Sequence, residues 1–201
     1  MDSASSDVTA FILAGGKSAR MGSDKAFVML DGRTLLARAL EVARTVATDV
    51  RIVGDPAKFA GFASVVEDVF RECGPLGGIQ AALRASQTEL NLMLAVDVPF
   101  VSFALLQLLI VRARNSAAIV TVPRTKEGWQ PLCAVYRREF VDAAEKALRS
   151  GRYKIDALFD AVHTQVVSEE ELESAGFSSK MFRNLNTREE LEAAQREGVR
   201  N

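Results

Sequence analysis

The stretch V-T-A-F-I-L-A-G-G-K-S-A-R-M-G-S-D-K, Val8 to Lys25, runs from an unbroken apolar segment straight into a loop of glycines and cations. Val8 to Ala14 has the length and composition of a buried strand. The loop after it is built to hold an anion. Gly15, Gly16 and Gly22 allow positive φ and close approach of backbone to a ligand, while Lys17, Arg20 and Lys25 surround the same bend with charge. An ordinary strand with a charged surface loop is the alternative, and it leaves the coincidence of glycines and cations without a cause.

Two familiar phosphate loops do not fit. A Walker A loop needs a glycine five positions before the glycine of G-K-S, and Phe11 stands there before Gly16. A dinucleotide fingerprint needs G-x-G-x-x-G, but Gly15 is followed directly by Gly16 and Lys17.

On either side of this loop, short apolar runs alternate with helical patterns, which predicts a largely parallel sheet flanked by helices, a three-layer α/β/α domain. The expected strands are Val8–Ala14, Val50–Val53, Ser64–Glu67, Asn91–Val96 and Ala117–Val122, with Pro131–Tyr136 returning and a weak strand at Thr164–Val167. Helices are expected at Thr34–Ala47, Gly77–Ala85, Ser102–Ala113, Glu139–Arg149, Lys154–Ala161 and Thr187–Glu197, the last opened by a Thr187/Glu190 capping box. Ser102–Ala113 is apolar nearly all round, so it should be well covered or meet a partner. Met1–Asp7 reads as a frayed tail, and residues 8–201 as one domain with a nucleotide half to about 122 and an acceptor half beyond.

With 201 residues, 48% of them hydrophobic, and a net charge of -1, the chain can bury one substantial core and has no general attraction to nucleic acid. Its relevant positive charge is local, which favours a small phosphorylated ligand. Cys73 and Cys133 lack metal-type spacing and are expected to be free thiols in a reducing cytoplasm; no segment reads as a membrane span. His163, the single histidine, reads as structural or exposed.

L-M-L-A-V-D-V-P-F, Leu92 to Phe100, ends an apolar strand in a carboxylate. Asp97 therefore belongs at the carboxyl edge of the sheet, where the Val8 strand also delivers its loop and where open α/β sheets bind ligands. One carboxylate beside phosphates suits Mg²⁺; a cap for the next helix is the alternative. In D-V-F-R-E-C-G-P-L-G-G-I, Asp68 to Ile79, Gly74, Gly77 and Gly78 permit close backbone approach. Asp68 has the acceptors to receive the N1 and N2 donors of guanine, or is a surface turn residue. In R-N-L-N-T-R-E-E-L, Arg183 to Leu191, Asn184 and Asn186 alternate along an extended segment, either offering amides to a ligand or organising the turn.

Taken together, L-A-G-G-K-S-A-R-M-G-S-D-K, G-P-L-G-G-I and N-L-N-T resemble the signatures of the molybdenum cofactor guanylyltransferases, nucleotidyltransferases of the nucleotide-diphospho-sugar transferase type. Arg188 and Glu190 stand where that family usually has Pro and Asp. The resemblance implies transfer of GMP from GTP to molybdopterin with release of pyrophosphate. It implies catalytic roles for Arg20, Lys25 and Asp97, with Asp97 the Mg²⁺ ligand. Nucleotide contacts would come from Leu13, Ala14, Gly15, Gly16 and Gly22 on the loop side, and from Asp68, Gly74 and Gly78 opposite, joined by Lys25 and Asp97. Lys154, Asn184 and Asn186 would hold the acceptor, and other cofactor-biosynthesis proteins or molybdoenzymes are conceivable partners. Rival readings are a cytidylyl or sugar-phosphate nucleotidyltransferase, or a nucleotide-binding regulator without turnover.

Overall fold

The computed structural model describes residues 5–15, 24–68, 70 and 73–198. Its sheet is built around β1 (Ser5–Leu13), which lies between β4 (Ala47–Val53) and β6 (Leu90–Ala95) and runs parallel to both. β5 (Ser64–Val66) continues in parallel beyond β4. On the other side β9 (Cys133–Arg137) joins β6 antiparallel, followed by β7 (Val120–Thr125) and, parallel to β7, β10 (Thr164–Ser168). The order is β10-β7-β9-β6-β1-β4-β5, with β8 (Gly128–Trp129) paired to β7. The expected three-layer α/β/α architecture is what forms.

Strand periodicity divides the core between two faces. Val8, Ala10 and Ile12 of β1 enter one cluster, with α1 (Leu35–Arg44) and α4 (Phe103–Arg114), while Phe11 and Leu13 enter the other, with α3 (Pro75–Ala85) and α5 (Phe140–Arg149). All five are buried, and each large side chain so placed contributes about 1.5–3 kcal/mol. Leu185 and Ala194, the latter from α7 (Arg188–Gly198), complete the first cluster, so the C-terminal segment packs on the face that carries α1 and α4. Both cysteines are free; burial pushes the Cys133 thiol up to about 12.

Several boundaries differ from expectation. Ser5–Asp7 belong to β1 rather than to a tail, and Asp7 pairs with Arg114 at 2.8 Å. The first helix ends at Arg44, and β4 begins at Ala47, because Thr45, Val46, Thr48 and Val50 are β-branched and the strand finds its partner in β1. Lys154–Ala161 forms only a 3₁₀ turn at Asp156–Leu158; Ile155, Leu158 and Phe159 are buried as anchors of an irregular segment, too short to repay helix nucleation. α4 is covered on one side, while Phe103 and Val111 remain exposed. Elements that were not expected include α2 (Pro56–Phe59), α6 (Glu169–Ser174) and the hairpin of β2 (Met29–Leu30) and β3 (Arg33–Thr34). The hairpin had a signal in Asp31-Gly32, whose φ values of 50° and 76° suit a two-residue turn with positive φ at both positions.

Candidate active site

β1, β4, β5 and β6 end at one edge, and their hydrogen-bond ladder continues just past the strands. Ala14 N–H donates to the Val53 carbonyl at 3.0 Å, Gly54 N–H to Val66 at 3.0 Å, and Val96 N–H to Leu13 at 3.2 Å. Ala14-Gly15, Gly54, Asp68 and Asp97 thereby follow strand ends along one edge of the sheet. Gly78 lies against Leu13 and Val53, where a Cβ would meet each side chain at 3.5 Å. Gly74 caps α3 with φ of 67°, a conformation that favours glycine, and Pro75 begins the helix. Gly16, Lys17, Arg20 and Gly22 lie outside the described residues. Gly54 is a position the sequence reading did not assign: a Cβ there would stand 2.8 Å from the Phe59 ring. Its signal was a glycine between a strand and the Asp55-Pro56 helix start.

Asp97 does not cap the next helix. Ser102 does, accepting from Leu105 N–H at 3.3 Å. The Asp97 carboxylate instead receives the Lys25 ammonium at 2.9 Å, with the two side chains 20% and 22% exposed. Lys25 stands at the start of a 3₁₀ turn, Lys25–Phe27, capped by Asp24, which accepts from Ala26 N–H at 3.2 Å. Asp24 is held in turn by Lys58 at 2.9 Å, and this hydrogen bond, followed by the attraction of the two charges, raises the Lys58 pKa. The Lys25 ammonium also donates to Asn186 Oδ1.

Asn186 reaches Lys25 because its segment is fastened beneath Asp97. Leu185 is fully buried, and its N–H donates to the Asp97 carbonyl at 2.9 Å. Asn186, expected to hold the acceptor, thus stands beside Lys25. Asn184 is exposed on the other side of Leu185 in sequence. Lys154 is not brought to this cluster: its side chain is 80% exposed and pairs with Asp156 at 3.2 Å. Its neighbour Tyr153 hydrogen-bonds Cys73, which raises the Tyr153 pKa and places this loop beside the Gly74 turn.

Asp68 is fixed by an Asx turn, accepting from Phe70 N–H at 2.9 Å. Its carboxylate rests on the first turn of α3, where a Cβ on Gly77 would stand 3.0 Å from both oxygens. A negative charge there is favoured by the helix dipole.

Residues 10–166 match the MobA-like NTP transferase domain. The chain belongs to that family. It is 38% identical over 191 residues to the molybdenum cofactor guanylyltransferase of Desulfosudis oleivorans, covering 94% of each chain. It is 31% identical to that of Syntrophotalea carbinolica, over 94% of this chain and 91% of the other. Among solved structures, molybdopterin-guanine dinucleotide biosynthesis protein A from Archaeoglobus fulgidus superposes with a TM-score of 0.84 at 25% identity, covering 96% of this chain and all of that one.

In this MobA-like domain, Asp97 is the candidate among the described residues for holding a divalent ion. Among the described residues no three His, Cys, Asp or Glu side chains cluster as a self-sufficient metal cage. Mg²⁺ needs none, because it takes one or two carboxylate oxygens and completes its shell with phosphate and water. Asp97, partly exposed at the sheet edge, could supply such an oxygen. No helix among the described residues is long and apolar enough to cross a membrane.

Proposed function

We propose that this chain transfers GMP from GTP to the terminal phosphate of molybdopterin, releasing pyrophosphate. The single observation that supports this most is the Lys25–Asp97 pair, set at the carboxyl edge of the parallel strands in a chain of this family. The acceptor phosphate is already ionised at neutral pH, so the protein needs no strong general base. Its task is alignment and charge neutralisation.

The backbone of Ala14 and Gly15 lines the nucleotide side, with Gly78 keeping α3 close. Lys25 offsets charge on the transferring and leaving phosphates, and Arg20 does so from the glycine-rich segment. Asp97 would hold Mg²⁺, which when bound polarises the phosphoryl oxygens as a Lewis acid. Asp68 reads guanine through its N1 and N2 donors, and Gly74 lets the backbone follow the base. The acceptor lies toward Asn184 and Lys154.

Pyrophosphate release measured with GTP, CTP, ATP and UTP, each with molybdopterin and Mg²⁺, tests this reading. GTP should be preferred by tenfold or more. Equal turnover of CTP, or release independent of molybdopterin, would overturn it.

A further inference from the structure

Helix α7 lies beyond the residues that match the family domain, yet its first turn is wired to the site. Glu190 Oε2 accepts from Asn186 N–H at 2.6 Å and from Thr187 N–H at 3.0 Å, while Thr187 Oγ1 accepts from Glu190 N–H at 3.1 Å. The Thr187/Glu190 capping box forms as expected, but the same carboxylate also fixes the backbone of the residue whose side chain holds Lys25. A second tie runs from Gln195 Nε2 to the carbonyl of Met29, on the strand that follows the Lys25 turn.

On the proposed nucleotidyl-transfer reading, we propose that Glu190 is a positioning residue for Lys25, acting through Asn186. A lysine ammonium has three donors on a flexible stem. Asp97 and Asn186 take two of them, so the direction of the third is set. With Asp97 alone the ammonium would pivot about one contact. The second acceptor being an amide is chemically apt: it orients the ammonium without adding negative charge beside the phosphates. The charge of Glu190 is kept on the N–H groups of the helix start, where the dipole favours it.

The test compares Glu190→Ala, Glu190→Gln and Thr187→Ala in the full chain. Glu190→Gln keeps an acceptor oxygen and should stay within about threefold of wild type. Glu190→Ala should lower kcat about tenfold or more, with GTP affinity by calorimetry changed less than about threefold, since one oriented contact is lost and the binding groups remain. Thr187→Ala removes the other half of the box and should lower Tm comparably while kcat stays within about threefold. A structural role for Glu190 makes kcat track Tm in both variants, and that result, or an unchanged kcat in Glu190→Ala, overturns the proposal.

Nitrogen-15 NMR of the lysine ammonium groups reads the geometry without turnover. The Lys25 signal should be held in slow exchange in wild type and Thr187→Ala, and lost in Glu190→Ala. If wild type fails to use GTP, the functional reading fails while this signal still decides the role of Glu190. Retention of the signal in Glu190→Ala overturns that role.

Discussion

Asn186 and Lys154 both fall in the C-terminal half of the chain, and their surroundings are opposite. Asn186 is tied to Lys25, an element 161 residues earlier in the chain, and its own N–H is held by Glu190. Lys154 is 80% exposed and its ion partner, Asp156, lies two residues away in sequence. Membership of a half of the chain therefore does not say which ligand a residue serves. What separates the two is where the anchor is bonded: fully buried Leu185 donates to the Asp97 carbonyl and carries Asn186 to Lys25, whereas buried Ile155 leaves Lys154 in solvent.

The contrast breaks most visibly at Lys25, the partner of Asn186, and at Asp97, which shares that lysine. Asp97→Ala should leave the fold intact and lower turnover about 10³-fold, as expected when several kcal/mol of charge stabilisation is removed. Steady-state kinetics at saturating Mg²⁺ with a near wild-type rate would separate Asp97 from catalysis. Lys25→Ala should lower turnover roughly 10²-fold, the loss of one preorganised donor, and weaken GTP binding by calorimetry.

Asp68→Asn sharpens the nucleotide side. Losing a charged acceptor should weaken GTP by about 1–3 kcal/mol, and weaken inosine triphosphate, which lacks the N2 donor, by less. If the carboxylate serves only the start of α3, both nucleotides lose affinity equally. Gly54→Ala tests packing beneath the site: the added Cβ would stand 2.8 Å from the Phe59 ring and should cost about 1–3 kcal/mol in urea unfolding. Lys154→Ala is the smallest effect. Stability should stay within about 0.5 kcal/mol and GTP affinity should not change, leaving molybdopterin affinity as the one quantity it lowers.

The fold class was legible because burial on both faces of a parallel sheet writes itself as short apolar runs, and β1 shows this with Val8, Ala10 and Ile12 to one face, Phe11 and Leu13 to the other. Asp97 was legible for a related reason: a carboxylate just past such a run must emerge at the sheet edge. The helix expected at Lys154–Ala161 was misread because its apolar residues also suit an irregular anchored segment, and the first helix was overextended because Val46 continues its spacing while its β-branched neighbours belong to β4.

By itself, the sequence determined the local chemistry: a strand delivering glycines and cations, a carboxylate at a strand end, a capping box at Thr187 and Glu190. These follow from properties that act over a few residues, namely side-chain period, glycine's access to positive φ, and the reciprocal bonds of a helix start. Only the tertiary structure decided that Asn186 meets Lys25, that Gly54 receives the Phe59 ring and that Asp68 rests on the first turn of α3. Those contacts depend on which strands lie side by side and on where buried Leu185 docks, and such choices minimise the exposed surface of the whole chain, which no short window of sequence contains.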